Sequence, residues 1–224
     1  MTEATSMAFG NGRYVMPGIG GKVWTSPDTT HWNTNYSGFR GTIYQILRGA
    51  SNYVLVAADQ PILLSSDGNQ FVPASGSPVG SIGRVTFDGT NYVGLAGADI
   101  YTSTDATNWV LRTSNSSQQL NGVCHGPTRW VAVGGGGTVV TSPNSLAWTL
   151  RASGTANHLS AVAFGNNIYV AVGIKRHDHN LARWNSLGRT ILGYLGKISS
   201  GSLPQQPVHR HRRKRHDSYL PGWD

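Results

Sequence analysis

Few residues of this chain have the types and spacing that catalysis requires. Cys124, the single cysteine, directly precedes His125, so the two could act as a thiol nucleophile and its base. Adjacent residues of a strand point to opposite faces, however, and such a pair must meet in space. Cys124 is therefore interpreted as a small buried core residue. Arg112 and Arg151 could clamp a carboxylate, but each occupies the same repeat position, three after a tryptophan, which favours a structural role in a strand.

Acidic residues are equally sparse. The chain has one glutamate, Glu3, and the aspartates of segment 1–174 that lie outside a repeated turn motif are Asp59, Asp88 and Asp99. Glycoside hydrolysis ordinarily needs a pair of carboxyl groups that flank the scissile bond. We therefore predict no enzyme activity and no catalytic, cofactor-binding or metal-binding residues.

The basic charge is concentrated in one segment. The formal net charge is +8, yet residues 1–174 carry eight Lys or Arg against seven Asp or Glu. Residues 175–224 carry ten against three and include "HRHRRKRHD", which could bind phosphates, and "HDH", which could bind a metal. The high isoelectric point is therefore a property of this segment alone.

The remaining composition indicates short strands and tight turns. Only 12% of the residues are charged and 29 are glycine, which is typical of a β-rich chain. No run of about 18 apolar residues is present, so no membrane span is expected. The start, "MTEATSMAFGNGRYV", has no signal-peptide pattern. The compartment is not predicted; a cell surface, the extracellular space and a phage virion all remain open.

An aromatic residue followed by small apolar residues recurs five times, as in "NYVLVA" and "RWVAVG". A second motif, Ser-x-Asp followed by an aromatic residue four positions after the Asp, recurs four times, with Asn144 in place of the Asp in the fourth copy. Both motifs keep one constant period close to forty, which indicates internal repeats. The first motif has its aromatic residue at Tyr14, Tyr53, Tyr92, Trp130 and Tyr169; the second comprises Ser26, Asp28, Trp32, Ser65, Asp67, Phe71, Ser103, Asp105, Trp109, Ser142, Asn144 and Trp148.

Each repeat holds four short runs with high β propensity, separated by Gly, Asn, Ser and Pro. Four strands in about 40 residues match one blade of a β-propeller. A parallel β-helix would have shorter coils, and leucine-rich repeats would have a leucine ladder. We predict an all-β propeller over residues 1–174, with four complete blades and a partial fifth, followed by an irregular basic tail at 175–224.

The Ser–Asp motif has a physical reason to recur. A carboxylate at a hairpin turn accepts hydrogen bonds from the backbone amides of the turn, and a serine hydroxyl can join it. The motif resembles the Asp-box (BNR) repeat of sialidase-like, photosystem-assembly-factor-like and phage-encoded propellers. The sialidase motif has one more residue between Asp and Trp, so the resemblance is to the broader repeat class. It implies a structural turn, away from any catalytic face.

The basic tail begins where the repeat pattern stops. Read one nucleotide later with permitted codons, residues 176–187 yield "GTITTSPDGIAW", whose serine falls at position 181, one period after Ser142. Residues 201–210 yield "VAFRNNRYIV", with a tyrosine at position 208, and residues 215–223 yield "GTIVTSPDG". We interpret residues from about 175 onward as out-of-frame translation of further repeats. The basic and histidine-rich motifs then predict neither a specific nucleic-acid site nor a metal site.

These observations favour a non-catalytic interaction scaffold that is part of a longer repeat protein and binds its ligand through loops on one face of the propeller. The expected ligand is a protein or a glycan, and exposed Tyr, Trp, Asn and Arg side chains would contact it. A sialidase-like glycoside hydrolase and an assembly factor for a larger complex are the alternatives that the resemblance implies. The oligomeric state is not predicted.

Overall fold

The computed structural model describes residues 4, 6–39, 41–78 and 82–174, and the backbone of residues 190–195. Its strands form five antiparallel sheets, four of which have four strands each. No helix in these described residues is long and apolar enough to cross a membrane. The architecture is therefore all-β, as the repeats predict.

Strands follow one another in sequence order across each sheet. The first sheet contains β1 (Ala8–Gly10), β2 (Arg13–Pro17), β3 (Lys22–Ser26) and β4 (Asn33–Tyr36). The second contains β5 (Ile43–Arg48), β6 (Tyr53–Ala57), β7 (Leu63–Ser65) and β8 (Val72–Pro73). The third contains β9 (Arg84–Phe87), β10 (Tyr92–Ala96), β11 (Asp99–Ser103) and β12 (Val110–Arg112).

The last two sheets continue this order. The fourth contains β13 (Leu120–Gly126), β14 (Arg129–Gly134), β15 (Val139–Ser142) and β16 (Thr149–Arg151). The fifth contains β17 (His158–Gly165), β18 (Ile168–Ile174) and β19 (Thr190–Leu195). Short 3₁₀ turns at Ile19–Gly21 and Gly135–Gly137 connect the second and third strands of the first and fourth sheets.

The sequence repeat and the strand register coincide. In each of the first four sheets the repeated aromatic residue of the second strand lies directly opposite the motif serine of the third strand. The pairs are Tyr14 with Ser26, Tyr53 with Ser65, Tyr92 with Ser103 and Trp130 with Ser142. The predicted repeats are therefore structurally equivalent units, which we call blades 1 to 5 in chain order.

The blades are arranged around an axis. The first strands of successive blades pack on one another, β1 on β5, β5 on β9, β9 on β13 and β13 on β17. Each sheet then extends outward, with the fourth strand at the periphery. This is the radial arrangement of a β-propeller.

The apolar core lies between blades rather than inside any one of them. Four buried clusters exist among the described residues, and each combines side chains of two consecutive blades. Side chains alternate along the second strands, so that Tyr53 and Leu55 face blade 1 while Val54 and Val56 face blade 3. A single blade therefore cannot bury its own apolar residues, and each depends on its neighbours.

The fifth blade departs from the period at its third strand. Tyr169 lies opposite Leu195 of β19, whereas Trp130 of blade 4 lies opposite Ser142, which follows it much more closely in the chain. The third-strand place in blade 5 is therefore filled from residues that lack the repeated serine. The rest of 175–224 lies outside the described residues.

Candidate functional site

The four Ser–Asp turns join the third and fourth strands at one end of the blades. In blade 3, Ser103 Oγ donates to Asp105 Oδ1 at 2.9 Å, and the amides of Thr107 and Asn108 donate to the same oxygen at 2.8 Å. The turns of Asp28 and Asp67 repeat these bonds. One carboxylate oxygen therefore organises the whole turn.

The residue after the Asp adopts a left-handed backbone in every turn. It has φ of 67° at Thr29, 77° at Gly68, 62° at Ala106 and 64° at Ser145. Where the aromatic residue just before the fourth strand is tryptophan, its Nε1 donates to the carbonyl of that left-handed residue, at 2.8 to 2.9 Å. The indole thus helps to hold a conformation that residues other than glycine rarely adopt.

These aspartates serve the fold as anions. Hydrogen bonds from backbone amides, that of Asn69 foremost, lower the pKa of Asp67 to about 2. The amide of Asn108 is the main cause that lowers the pKa of Asp105 to about 2. The amide of His31 is the main cause that lowers the pKa of Asp28 well below its usual range. A carboxylate engaged in this way is a poor proton donor for catalysis.

A polar hollow of about 590 Å³ lies on the Ser–Asp-turn face between blades 1 and 2. Its side chains are largely used to join the blades. Asn11 Nδ2 donates to the carbonyl of Ser66, and Arg13 Nη1 donates to that of Asp67, both at 3.1 Å. We therefore assign this hollow a structural role.

The opposite face carries a second hollow, of about 470 Å³, which we call the axial pocket. It is lined by the starts of the innermost strands and by the ends of the adjacent loops: Tyr44, Gly83, Arg84, Leu95, Gly97, Gln119, Leu120, Asn121, His158 and Ser160. Four blades thus contribute to one pocket near the axis.

Three lining residues occupy one repeat position, nine before the repeated aromatic. Tyr44, Asn121 and Ser160 each lie where the register between first and second strands shifts by one residue. A β-bulge redirects a side chain and interrupts the ladder. Gly83 holds the same position in blade 3. Blades 2, 4 and 5 thus share a β-bulge at this position, but each has a different side chain there.

Several axial-pocket side chains have no hydrogen-bond partner in the described part of the chain. The side chains of Tyr44, Arg84 and Gln119 make no hydrogen bond to any other residue that the structure describes, and all three are exposed. Asn121 Nδ2, by contrast, donates to the carbonyl of Leu159 at 2.8 Å and lies 3.2 Å from His158 Nε2. The pocket therefore combines a fixed amide–imidazole pair with unpaired donors and an aromatic ring.

The residues that the sequence marked for possible catalysis lie apart. Arg112 Nε donates to Thr102 Oγ1 at 2.9 Å, and Arg151 Nε makes the equivalent bond to the fourth-blade threonine at 3.1 Å. Cys124 packs against the cluster between blades 4 and 5, and burial raises its pKa to about 11. His125 instead lies on the ring of Trp130, at 4.7 Å between centroids. Neither the arginine pair nor the cysteine–histidine pair forms a site.

The acidic residues are likewise dispersed. Asp88 accepts the amides of Thr90 and Asn91 in the hairpin turn of blade 3, on the same face as the Ser–Asp turns. Within the described part of the chain, no group of three or more His, Cys, Asp or Glu residues could hold a metal ion.

Sequence reasoning directed attention to exposed loop residues and did not find the axial pocket. The available signal was the repeat position of Tyr44, Asn121 and Ser160, where side chains diverge while the surrounding residues keep their period. Only the radial order of the strands shows that this position surrounds the axis.

Known structures share the fold. A structure described as YCF48 bound to D1 peptide has a TM-score of 0.61 at 17% identity over 76% of this chain and 60% of that one. The WD40 propeller of Doa1 has a TM-score of 0.61 at 8% identity, over 76% and 62%. An ancestral GH74 enzyme has a TM-score of 0.61 at 12% identity, over 76% and 27%.

The chain thus matches 60% and 62% of the length of the first two of these structures. No protein-family model matches the chain, and no curated protein matches it in sequence. At these identities the likeness concerns the fold alone, because one fold hosts many functions. The fold is a β-propeller.

Proposed function

We propose that this protein is a non-catalytic binding scaffold whose axial pocket holds a segment of another protein. The main support for this proposal is the position of the β-bulge. It places Tyr44, Asn121 and Ser160 around one pocket, although the blades that hold them are structurally equivalent. A rigid framework with variable side chains on one face is how repeat proteins create binding surfaces. Repeated residues serve the blades, and divergent ones serve the ligand.

The chemistry of the pocket supports a peptide ligand. Tyr44 is 40% exposed and offers an aromatic surface, and Tyr and Arg are among the residue types that carry most binding energy at interfaces. Gln119 offers a side-chain amide, and Asn121 offers its amide oxygen, for pairing with a peptide backbone. A neighbour in fold, YCF48, was solved with a peptide, which is consistent with this proposal.

Hydrolysis has less support than binding. Four of the six aspartates among the described residues, Asp28, Asp67, Asp88 and Asp105, accept hydrogen bonds within hairpin turns of the opposite face.

A role as an assembly factor for a larger complex is a special case of the scaffold.

The test is a selection from a displayed library of random peptides on the immobilised protein, followed by Kd measurements on the selected peptides. Tyr44→Ala and Arg84→Ala should each weaken binding by about tenfold, which is about 1.4 kcal/mol. Tyr36→Ala and Arg129→Ala, which change the same residue types outside the pocket, should leave Kd within about twofold.

Peptides that bind all four variants as tightly as the unaltered protein would place the ligand elsewhere. A glycan array forms the second arm. Glycans could bind and lose affinity in the Tyr44→Ala and Arg84→Ala variants, while no peptide binds. In that case the ligand is a glycan and the peptide proposal is wrong.

We also propose that residues 175–224 arise from a reading frame displaced by one nucleotide. The shifted frame restores the period, with a serine at position 181 and a tyrosine at position 208. The structural support is the fifth blade, in which the third strand comes from well beyond the place that the repeat requires. The scaffold in its intact form would then have further blades.

A further inference from the structure

The described blades form four blade-to-blade interfaces, and blades 1 and 5 each present one face on which no described blade packs. At three of these interfaces the second-strand tyrosine of one blade forms a hydrogen bond with the hairpin turn of the preceding blade. Tyr92 Oη accepts from the amide of Ala50 at 2.9 Å. Tyr53 Oη donates to the carbonyl of Gly10 and, at 3.0 Å, to that of Arg13. Tyr169 Oη donates to the carbonyl of Arg129 at 2.8 Å.

Blade 1 has such an aromatic residue, but no described blade packs on it. Tyr14 is partly exposed and makes no hydrogen bond to another described residue through its hydroxyl; it packs on Phe9, with ring centroids 4.5 Å apart. Phe9 is 54% exposed, and Met16 and Trp32 are partly exposed. The equivalents of Met16 and Trp32 in blade 2 are buried against blade 1: Leu55 and Phe71. We call Phe9, Tyr14, Met16 and Trp32 the first-blade face.

Blade 5 has the complementary hairpin turn, and no described blade packs on it. A Cβ at Gly126, in blade 4, would lie 2.3 Å from Tyr169 Oη. At Gly165, the same repeat position in blade 5, a Cβ would meet nothing within 4 Å. Val172, on the side that faces a following blade, is 40% exposed, whereas its equivalent Val133 is fully buried. We call the surface formed by four residues of this side the fifth-blade face: Gly165, Ile168, Val170 and Val172.

We propose that the fifth-blade face binds the first-blade face of a second copy of this chain. In blades 2 to 5, the side that carries the second-strand aromatic residue is already buried against the preceding blade. Among the described blades, blade 1 is therefore the one whose equivalent side is free to bind. Docked as the internal blades are, Tyr14 would donate to the carbonyls of Gly165 and Ile168, which are equivalent to Gly10 and Arg13 of the interface between blades 1 and 2.

The symmetry of this contact has a consequence for assembly. The two faces differ, so the contact is head-to-tail and leaves one free face at each end of a pair. Association should therefore increase with protein concentration and can continue beyond a dimer unless the blades close into a ring. This inference does not depend on the axial pocket or its ligand.

The experiment is sedimentation velocity on the full chain from low micromolar to about 100 µM. The weight-average sedimentation coefficient should rise with concentration. Gly165→Leu should abolish the rise, because the added side chain lies where the partner's Tyr14 must enter, while its Cβ meets none of the described residues within 4 Å. Thr149→Leu adds the same side chain to an exposed strand at the periphery and should self-associate like the unaltered protein.

Thermal melting monitored by circular dichroism establishes that both variants fold. A monomer at every concentration overturns the proposal, and so does self-association that survives Gly165→Leu. Tyr14→Ala provides a second variant on the opposite face, and it must also abolish the rise. If only one of the two variants does so, the contact does not join these faces and the proposal is wrong.

Discussion

At the scale of single residues, one acceptor oxygen replaces the backbone pairing that a tight turn lacks. The two amides bound by Asp105 lie at 2.8 Å, whereas the two bound by Asn144 lie at 3.1 and 3.2 Å. Hydrogen bonds to an ionised acceptor are shorter and stronger than those to a neutral one. The same turn can thus be built with Asn, at the expense of bond strength.

Acid should weaken the protein through these carboxylates. Their folded pKa of about 2 lies below the ordinary 3.8, so their stabilisation is complete above the ordinary pKa and is lost as the pH falls toward the folded one. Asp105→Asn should reduce this loss, because the amide does not titrate. Urea unfolding at neutral pH and at steps across the acid range between the two pKa values measures the effect. An unchanged pH profile in the variant would contradict it.

Deletion of the turn's acceptor should be costly at neutral pH. Asp105→Ala leaves the amides of Thr107 and Asn108 without their acceptor and should lower the free energy of unfolding by about 1–3 kcal/mol. Asp105→Asn keeps the acceptor and should lose less. Equal stability of Asp105→Ala and the unaltered protein in urea unfolding would show that the turn does not depend on this side chain.

Tryptophans at the same repeat position should contribute differently to the free energy of unfolding, because they are not equally buried by neighbouring blades. Trp148 is 3% exposed and packs between blades 3 and 4, so Trp148→Ala should cost about 3–5 kcal/mol. Trp32→Ala should cost clearly less, because no described blade packs on its ring, which is partly exposed. The two variants are compared by urea unfolding at low protein concentration. Equal losses would mean that burial between blades is not the source of the stabilisation.

At the scale of strands and sheets, successive blades are joined by side chains that contact the next repeat along the chain. Gln45 pairs with both backbone groups of Val85, at 2.9 and 3.0 Å. Blades 4 and 5 come closer still, and a Cβ at Gly122 would lie 2.8 Å from Ala161 Cα. The inner strands of blades 2 and 3 are therefore joined by side-chain hydrogen bonds, and those of blades 4 and 5 are joined by direct backbone contact.

Two glycines at one repeat position test the inter-blade contact. Gly126→Ala places a methyl group against Tyr169 Oη and should lower the free energy of unfolding by about 1–3 kcal/mol through overpacking. Gly165→Ala meets open space and should change it by less than about 0.5 kcal/mol. Thermal and urea unfolding of the two variants measures both changes in the free energy of unfolding. Similar effects at both positions would exclude the Tyr169 contact as the cause.

At the scale of the whole molecule, the described blades form an array with two free ends. Each blade is stabilised by its neighbours, so a further blade should stabilise the fifth by covering its exposed apolar residues, such as Val172 and Ile174. A ring that closes would cover both end faces at once.

Restoration of the displaced frame is the test at this scale. Removal of one nucleotide between codons 173 and 176 should restore the turn near position 181 and supply a following blade with a tyrosine at position 208. The restored protein should melt at a higher temperature than the present chain and should lose head-to-tail association through the fifth-blade face. Calorimetry and sedimentation measure both. A coding sequence whose codons cannot yield the shifted turns would refute the interpretation directly.

The sequence by itself determined the period, the blades and the Ser–Asp turns, because each of these depends on residues close together in the chain. The repeated run that begins at Tyr53 predicts a short strand, and the turn of Asp105 is complete between Ser103 and Asn108. Local chemistry that recurs once in every repeat is visible without coordinates.

Only the tertiary structure decided what lies between blades and around the axis. The contact from Tyr53 to Gly10 and the convergence of Tyr44, Asn121 and Ser160 join residues that belong to different repeats. Their proximity depends on the radial order of strands and on the bulges that turn these side chains toward the pocket. Divergent side chains mark this repeat position in the sequence, but they reveal neither the bulge nor the order of the strands, because both arise from packing one repeat against the next.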